Sequence, residues 1–194
     1  MSKIARILLL IVVCMGLAWS QNGWAVDLPS TATKDADLSS VALTKAKALL
    51  ASQKETLTKQ LETDTALGEE EKASVSTLLA TVEQQLETLV NIDIYFVDES
   101  SAGEAFDEVA GFYKGKLNNF TELGNDELAT LLDTPVEIMP QATKDSLEQM
   151  INDGSARAAA GTTDKTRVSV MTFYMNPDTF ELIHQTTIVV ATTK

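Results

Sequence analysis

The sequence is poor in the side chains that most often carry catalysis and metal binding. Its 194 residues include a single cysteine, Cys14, and a single histidine, His184. A multi-histidine metal site needs more than one histidine, and a thiolate site is excluded once Cys14 is removed with the predicted signal peptide. In an alternating run, His184 falls on the same strand face as Leu182 and Ile188, and we interpret it as a structural histidine on a strand. We therefore expect no catalytic triad and no histidine or cysteine metal site.

Basic residues are also scarce. The chain has 15 lysines and arginines against 28 aspartates and glutamates, a formal net charge of -13. Binding to nucleic acid requires clustered Lys and Arg to neutralise phosphates, and the sequence shows no such cluster. We therefore expect no nucleic-acid partner, and we attribute the negative charge first to solubility.

The N-terminus has the pattern of a bacterial secretory signal peptide. Lys3 and Arg6 precede an uncharged apolar run at 7–18, followed by small residues. We predict a signal peptide at 1–25, cleaved after Ala25, with cleavage after Ser20 as the alternative. The run is too short for a comfortable membrane span, so no span is expected after cleavage. The predicted location is the periplasm or the exterior.

Cys14 suggests a second interpretation, a lipoprotein acylated at this cysteine. It is disfavoured because Val13 stands where a small residue is wanted and 15–19 remains apolar. Removal of 1–25 eliminates the only cysteine and both tryptophans, and it changes the net charge to -15. No disulfide can then form, so the core must provide the stability.

The C-terminal part alternates apolar and polar residues in two runs, 167–175 and 180–191. A period of two, rich in β-branched and aromatic residues, predicts antiparallel strands, and 176–179 (Asn-Pro-Asp-Thr) predicts a tight turn between them. The run at 92–97 predicts a third strand. Residues 101–117 follow with a broad apolar face at helical spacing, which predicts the helix that covers the sheet.

The remaining segments complete the predicted organisation. Residues 26–36 are polar and are predicted to be a flexible leader, and 37–90 carry two amphipathic stripes separated at Gly68, which predicts a helical hairpin. Residues 91–194 are predicted to be an α+β domain that ends in the β-hairpin. Within it we expect short helices at 126–132 and 141–153 and a loop at 155–165. The predicted fold class is α+β, an N-terminal helical hairpin followed by a small antiparallel sheet of at least three strands covered by helices.

Three carboxylates, Asp98, Glu99 and Glu104, cluster at the predicted junction between strand and helix. They could serve as an acid and base or bind a hard cation. Glu104 also has the spacing of a capping-box partner for Ser101, and the group lacks the spacing of a calcium loop. We favour the structural interpretation and predict no catalytic, cofactor-binding or metal-binding residue, and no cofactor.

These observations favour a non-enzymatic protein. The leading hypothesis is an exported, acidic binding or accessory protein that contacts another envelope or secreted protein through its helical hairpin or acidic surface. The alternative is a periplasmic small-ligand binder with a cavity between the helix at 101–117 and the sheet, lined by Phe106, Phe112 and Tyr174. A carboxylate-based hydrolase ranks third.

Overall fold

A computed structural model describes residues 26–64, 67–98, 102–129, 139–176 and 178–194. The helices are α1 (Ala36–Thr63), α2 (Glu69–Thr88), α3 (Ala102–Tyr113), α4 (Asn125–Ala129) and α5 (Gln141–Asn152). The strands are β1 (Ala32–Asp35), β2 (Leu89–Val97), β3 (Asn118–Glu122), β4 (Ala158–Thr162), β5 (Thr166–Met171), β6 (Tyr174–Met175), β7 (Leu182–Ile183) and β8 (Thr187–Thr193). The predicted fold class, an α+β chain with an N-terminal helical hairpin and an antiparallel sheet, is confirmed. The predicted signal peptide lies outside the described residues.

The described strands form a six-stranded sheet in the order β1-β2-β8-β5-β4-β3, and every neighbouring pair is antiparallel. β2 and β8 lie side by side, with Ile94 opposite Val189. β5 continues the sheet, with Val168 opposite Val190. β6 and β7 form a separate two-stranded ribbon.

Both faces of the sheet are covered by helices. Ile94 and Val189 point to the face on which α1 and α2 pack. Val168 and Val190 point to the opposite face, where α3 packs. α4 and α5 cover the far end of the α1 face, because Met171 contacts both the hairpin cluster and the cluster around these two helices. The sheet is therefore the middle layer of three.

Capping side chains mark the start of each helix of the hairpin. The Asp35 carboxylate accepts a hydrogen bond from the Leu38 amide at 2.8 Å and so caps α1. At the start of α2, the Glu71 carboxylate accepts from the Gly68 amide at 3.1 Å. The predicted stripes are buried on the sheet, with Leu50 of α1 among the fully buried side chains. The capping hydrogen bonds and the buried apolar stripes thus define the same two helices, α1 and α2.

α3 is the cover that its apolar spacing predicts. Phe106, Val109 and Tyr113 are at most 1% exposed, and all three belong to the cluster that packs on β5 and β8. Phe112 is only partly buried at the margin of this cluster. Phe106 and Tyr113 are therefore the fully buried aromatic rings of α3 in this interface.

The predicted flexible leader at 26–36 is wrong for its last residues, because β1 pairs with β2. Thr33 lies opposite Phe96 and Asp35 opposite Ile94. The edge of β2 would otherwise present unpaired backbone donors and acceptors, and β1 satisfies them. An ion pair of 2.5 Å between Lys34 and Asp93 also joins the two strands.

The predicted loop at 155–165 is also wrong, because it contains the interior strand β4. Ala158, Ala159 and Ala160 are at most 7% exposed, and β4 pairs with β5 on one side and β3 on the other. Small residues buried on both faces show no alternation, and alanine and glycine have low strand propensity. Composition therefore pointed to a loop where tertiary packing imposes a strand.

The predicted C-terminal strands at 167–175 and 180–191 are each interrupted. β5 and β8 pair as predicted, but β6 and β7 separate from the sheet as a ribbon. The break follows Met171, where the Thr172 hydroxyl donates to the Ser155 carbonyl at 2.6 Å and accepts from the Arg157 amide at 2.9 Å. At the tip, the Asn176 side chain accepts from the Asp178 amide at 2.9 Å, the local chemistry expected of a turn.

Candidate functional site

Of the candidate residues from the sequence, His184 and Asp98 lie among the described side chains, and they belong to different loops. His184 is exposed and lies between β7 and β8, outside any strand. Asp98 is exposed just after β2, and its amide donates to the Thr31 carbonyl at 3.2 Å. Glu99 and the side chain of Glu104 lie outside the described residues. The predicted carboxylate group is therefore represented by Asp98 alone.

The predicted cavity residues lie on different sides of the sheet. Phe106 and Phe112 pack on the α3 face. Tyr174 packs in the hairpin cluster on the other face, and its ring meets the Phe96 ring edge-on with centroids 6.2 Å apart. The three rings therefore line no common cavity. β6 is not part of the six-stranded sheet, so the inward and outward positions of β5 do not continue through Tyr174.

The described residues also show no grouping of three His, Cys, Asp or Glu side chains that could hold a metal ion. α5 carries a shallow acidic depression lined by Asp145, Glu148 and Asp153. Hydrogen bonds from the Ser155 side chain and backbone lower the pKa of Asp153. The Asp153 carboxylate therefore has a structural role, because it accepts a hydrogen bond from the Ser155 amide where α5 ends.

A cluster around Arg157 joins α3 to the sheet. Its guanidinium donates to Glu122 at 2.8 Å and forms an ion pair with Asp107 at 2.9 Å. It also lies over the Phe106 ring, 4.3 Å from the centroid. Glu122, and then Asp107, raise the pKa of Arg157. No sequence pattern indicates this cluster, because its members are far apart along the chain.

The helical hairpin presents an outward face along α1 and α2, the two longest helices among the described residues. α1 has 28 residues, which corresponds to a length of about 42 Å at the usual rise per residue. Lys47, Ala48 and Ala51 are exposed on it. Because the opposite side of α1 is anchored on the sheet through Leu50, this face is held rigidly toward solvent.

Threonines give this outward face an unusual chemistry. Within α1 and α2, threonine hydroxyls donate to the carbonyl four residues earlier at distances of 2.7 to 2.9 Å; these are Thr44, Thr56, Thr58, Thr63, Thr77, Thr81 and Thr88. Each hydroxyl donor is thus already used within the helix, and a partner need not replace its hydrogen bond to water. The threonine donors therefore add little to the cost of removing water from this face.

Compared with known proteins, the chain matches no family model, no curated protein and no solved structure. Among the helices of the described residues, none is long and apolar enough to cross a membrane.

The hydroxyl of Tyr113 is a buried polar group that lacks a hydrogen bond among the described residues. Tyr113 is fully buried, and within the described part of the chain its hydroxyl has no hydrogen-bond partner. Burial raises the pKa of this phenol, and the nearby Tyr95 and Asp27 add to the rise. A buried hydroxyl without a partner costs about 1–3 kcal/mol. Its position in an apolar helical stripe indicated core packing, so sequence reasoning missed the exception.

Proposed function

We propose that this chain is an exported, non-enzymatic binding or accessory protein that contacts another envelope or secreted protein through the outward face of its helical hairpin. We further propose that its N-terminal segment is a cleaved signal peptide and that it acts in the bacterial periplasm or outside the cell. The observation that carries the proposal is the hairpin itself, a rigid face of about 42 Å at helical rise whose threonine donors are satisfied internally.

The free energy needed to remove water from this face decides whether it can serve as a binding surface. Polar surfaces are usually expensive to bury, because each donor loses water unless the partner replaces it. Here the threonines present methyl groups and oxygen lone pairs, and the exposed Ala48 and Ala51 add little polar surface. A second helix laid along α1 at Ala48 and Ala51 would therefore bury apolar area without leaving threonine donors unsatisfied.

The distribution of charge favours α1 over α2 as the contact surface. α1 carries four lysines and three acidic residues, whereas the chain as a whole has a net charge of -13. The outward face of α1 is therefore the least acidic long surface of the hairpin, since α2 begins with Glu69, Glu70 and Glu71. An acidic or neutral partner would meet less repulsion at α1 than elsewhere on the chain.

The test compares arginine substitutions at exposed alanines. Ala51→Arg should reduce co-purification of a specific envelope protein by about tenfold or more, since a long charged side chain would stand in the interface. Ala142→Arg is the matched control, because Ala142 is an exposed alanine on α5. Partner loss with Ala51→Arg and retention with Ala142→Arg would support the proposal. Equal capture by both variants would contradict it.

Export has its own test. N-terminal sequencing of the mature protein should begin at Val26, or at Gln21 if cleavage follows Ser20. Finding 1–25 intact on cytosolic protein would contradict both the location and the class of partner.

A further inference from the structure

The segment that precedes β1, residues 26–31, lies across the α3 face of the sheet. Val26 and Leu28 pack against the apolar cluster that contains Tyr113. Asp27 forms an ion pair of 3.6 Å with Lys116. At the end of the segment, the Thr31 carbonyl accepts from the Asp98 amide. We call residues 26–31 the strap.

The contacts that hold the strap are few and weak. The Asp27 and Lys116 side chains are 80% and 46% exposed, so water screens their ion pair. Val26 and Leu28 are only partly buried. The ladder between β1 and β2 begins at Ala32, so the strap lies outside it. A segment with partial burial and few backbone hydrogen bonds is one that opens locally at low free energy.

The group beneath the strap favours opening. The Tyr113 hydroxyl is buried without a partner in the described part of the chain, and Asp27 and Tyr95 are close enough to affect its titration. Water that reached this hydroxyl would give it the hydrogen bonds that it lacks in the closed state. The closed strap therefore keeps an unfavourable contact that release removes.

We propose that residues 26–31 form a releasable strap that opens while the rest of the fold is intact and admits solvent to the Tyr113 hydroxyl. The strap is a conformational switch on the sheet face opposite the helical hairpin. It does not depend on the hairpin being a partner-binding arm.

Nitration with tetranitromethane at pH 8, followed by mass spectrometry of peptides, tests the strap on the full chain. Tyr174 is the internal reference, because it is 7% exposed and lies on the opposite face of the sheet. Leu28→Ser should raise the nitration rate of Tyr113 by about tenfold, because the strap loses apolar contact. The rate at Tyr174 should stay as in the wild type.

Two further variants complete the experiment. Leu49→Ser is the matched control, because Leu49 is 36% exposed on α1, and it should change neither rate. Val26→Ser removes a second, partly buried apolar contact of the strap without changing the charge near Tyr113, and it should raise the Tyr113 rate by a smaller factor, so it decides the outcome if Leu28→Ser fails to fold. An unchanged Tyr113 rate overturns the proposal. A parallel rise at Tyr113 and Tyr174 overturns it as well, since that result means global rather than local opening.

Discussion

The hydroxyl of Ser39 accepts a hydrogen bond from the Ile94 amide at 2.9 Å and donates to the Asp35 carbonyl. Asp35 is the last residue of β1 and lies opposite Ile94 in the sheet. The chain turns into α1 at this point, so Ser39 supplies the acceptor that a longer strand would have provided. One side chain thus joins the first turn of the hairpin to the sheet.

Ser39→Ala should destabilise the fold. Ile94 is fully buried, so its amide would be left without a partner. The expected loss is about 1–3 kcal/mol in the free energy of unfolding. Urea denaturation followed by circular dichroism measures it. Ser40→Ala, an exposed serine one residue later, is the control and should change stability by about 0.5 kcal/mol or less.

Gly161→Ala should also destabilise the fold, for a steric reason. A methyl group at Gly161 would lie 2.9 Å from the Phe120 side chain and 3.0 Å from the Leu117 Cβ. Either β4 or the ring must move, which should cost about 1–3 kcal/mol. The midpoint of urea unfolding reports the change.

Gly111→Ala provides the opposite expectation in the same assay. A methyl group there would meet nothing within 4 Å, and Gly111 lies in α3. Alanine should stabilise the helix by about 0.5–1 kcal/mol. Destabilisation by both substitutions to the same extent would show that the close approach of Phe120 to Gly161 is not the cause.

Tyr113→Phe should leave stability at pH 7 unchanged or raise it by about 1 kcal/mol, because it removes a buried hydroxyl without removing the ring. In the wild type, burial raises the pKa of Tyr113, so the folded state retains a proton that the unfolded chain loses above about pH 10. Stability from this group is therefore present below pH 10 and is lost as the pH rises further. The variant should lack this loss.

Urea unfolding at pH 7 and at pH 11 separates the two effects. The difference between the variant and the wild type should grow in favour of the variant at pH 11. Tyr95→Phe is the comparison, because Tyr95 is only partly buried and should gain no stability at pH 7 from losing its hydroxyl; burial, followed by Asp93, raises its pKa as well. A Tyr113→Phe protein that is less stable than the wild type at pH 7 would contradict the assignment of an unsatisfied hydroxyl.

The predicted two-part organisation, 37–90 and 91–194, implies that residues 91–194 fold alone, whereas the apolar cluster shared by the hairpin and the sheet implies that they do not. A fragment from Asn91 to Lys194 would lack β1 and the hairpin, and it would expose Ile94 and Val189 to water. We expect it to be molten, since the hairpin and sheet share one apolar cluster. Thermal circular dichroism checks this expectation, and a cooperative transition would show that residues 91–194 fold alone.

Amphipathic periodicity predicted the helices α1, α2 and α3 because each buries one stripe against one layer. It also predicted the pairing of β5 with β8. It failed for β4, whose alanines are buried on both faces, and for β1, whose pairing depends on the free edge of β2. The same limit applies to the site, since the orphan hydroxyl of Tyr113 depends on which side chains surround it in three dimensions.

The two exposed residues that could carry chemistry should be dispensable for binding. His184→Ala and Asp98→Asn should retain partner binding, because both residues are exposed and lie outside the hairpin. The amount of captured partner, normalised to folded protein, checks the result. Loss of binding in a folded variant would move the interaction away from the hairpin face.

Site-specific photocrosslinking in the native envelope tests the hairpin face most directly. A benzoylphenylalanine replacing Ala51 should give a discrete adduct with one envelope or secreted protein on irradiation, since Ala51 is exposed at the middle of the outward face of α1. The same group at Ala142 should give no such adduct. An adduct at Ala142 with none at Ala51, or no adduct at either position, would contradict the assignment of the hairpin as the binding surface.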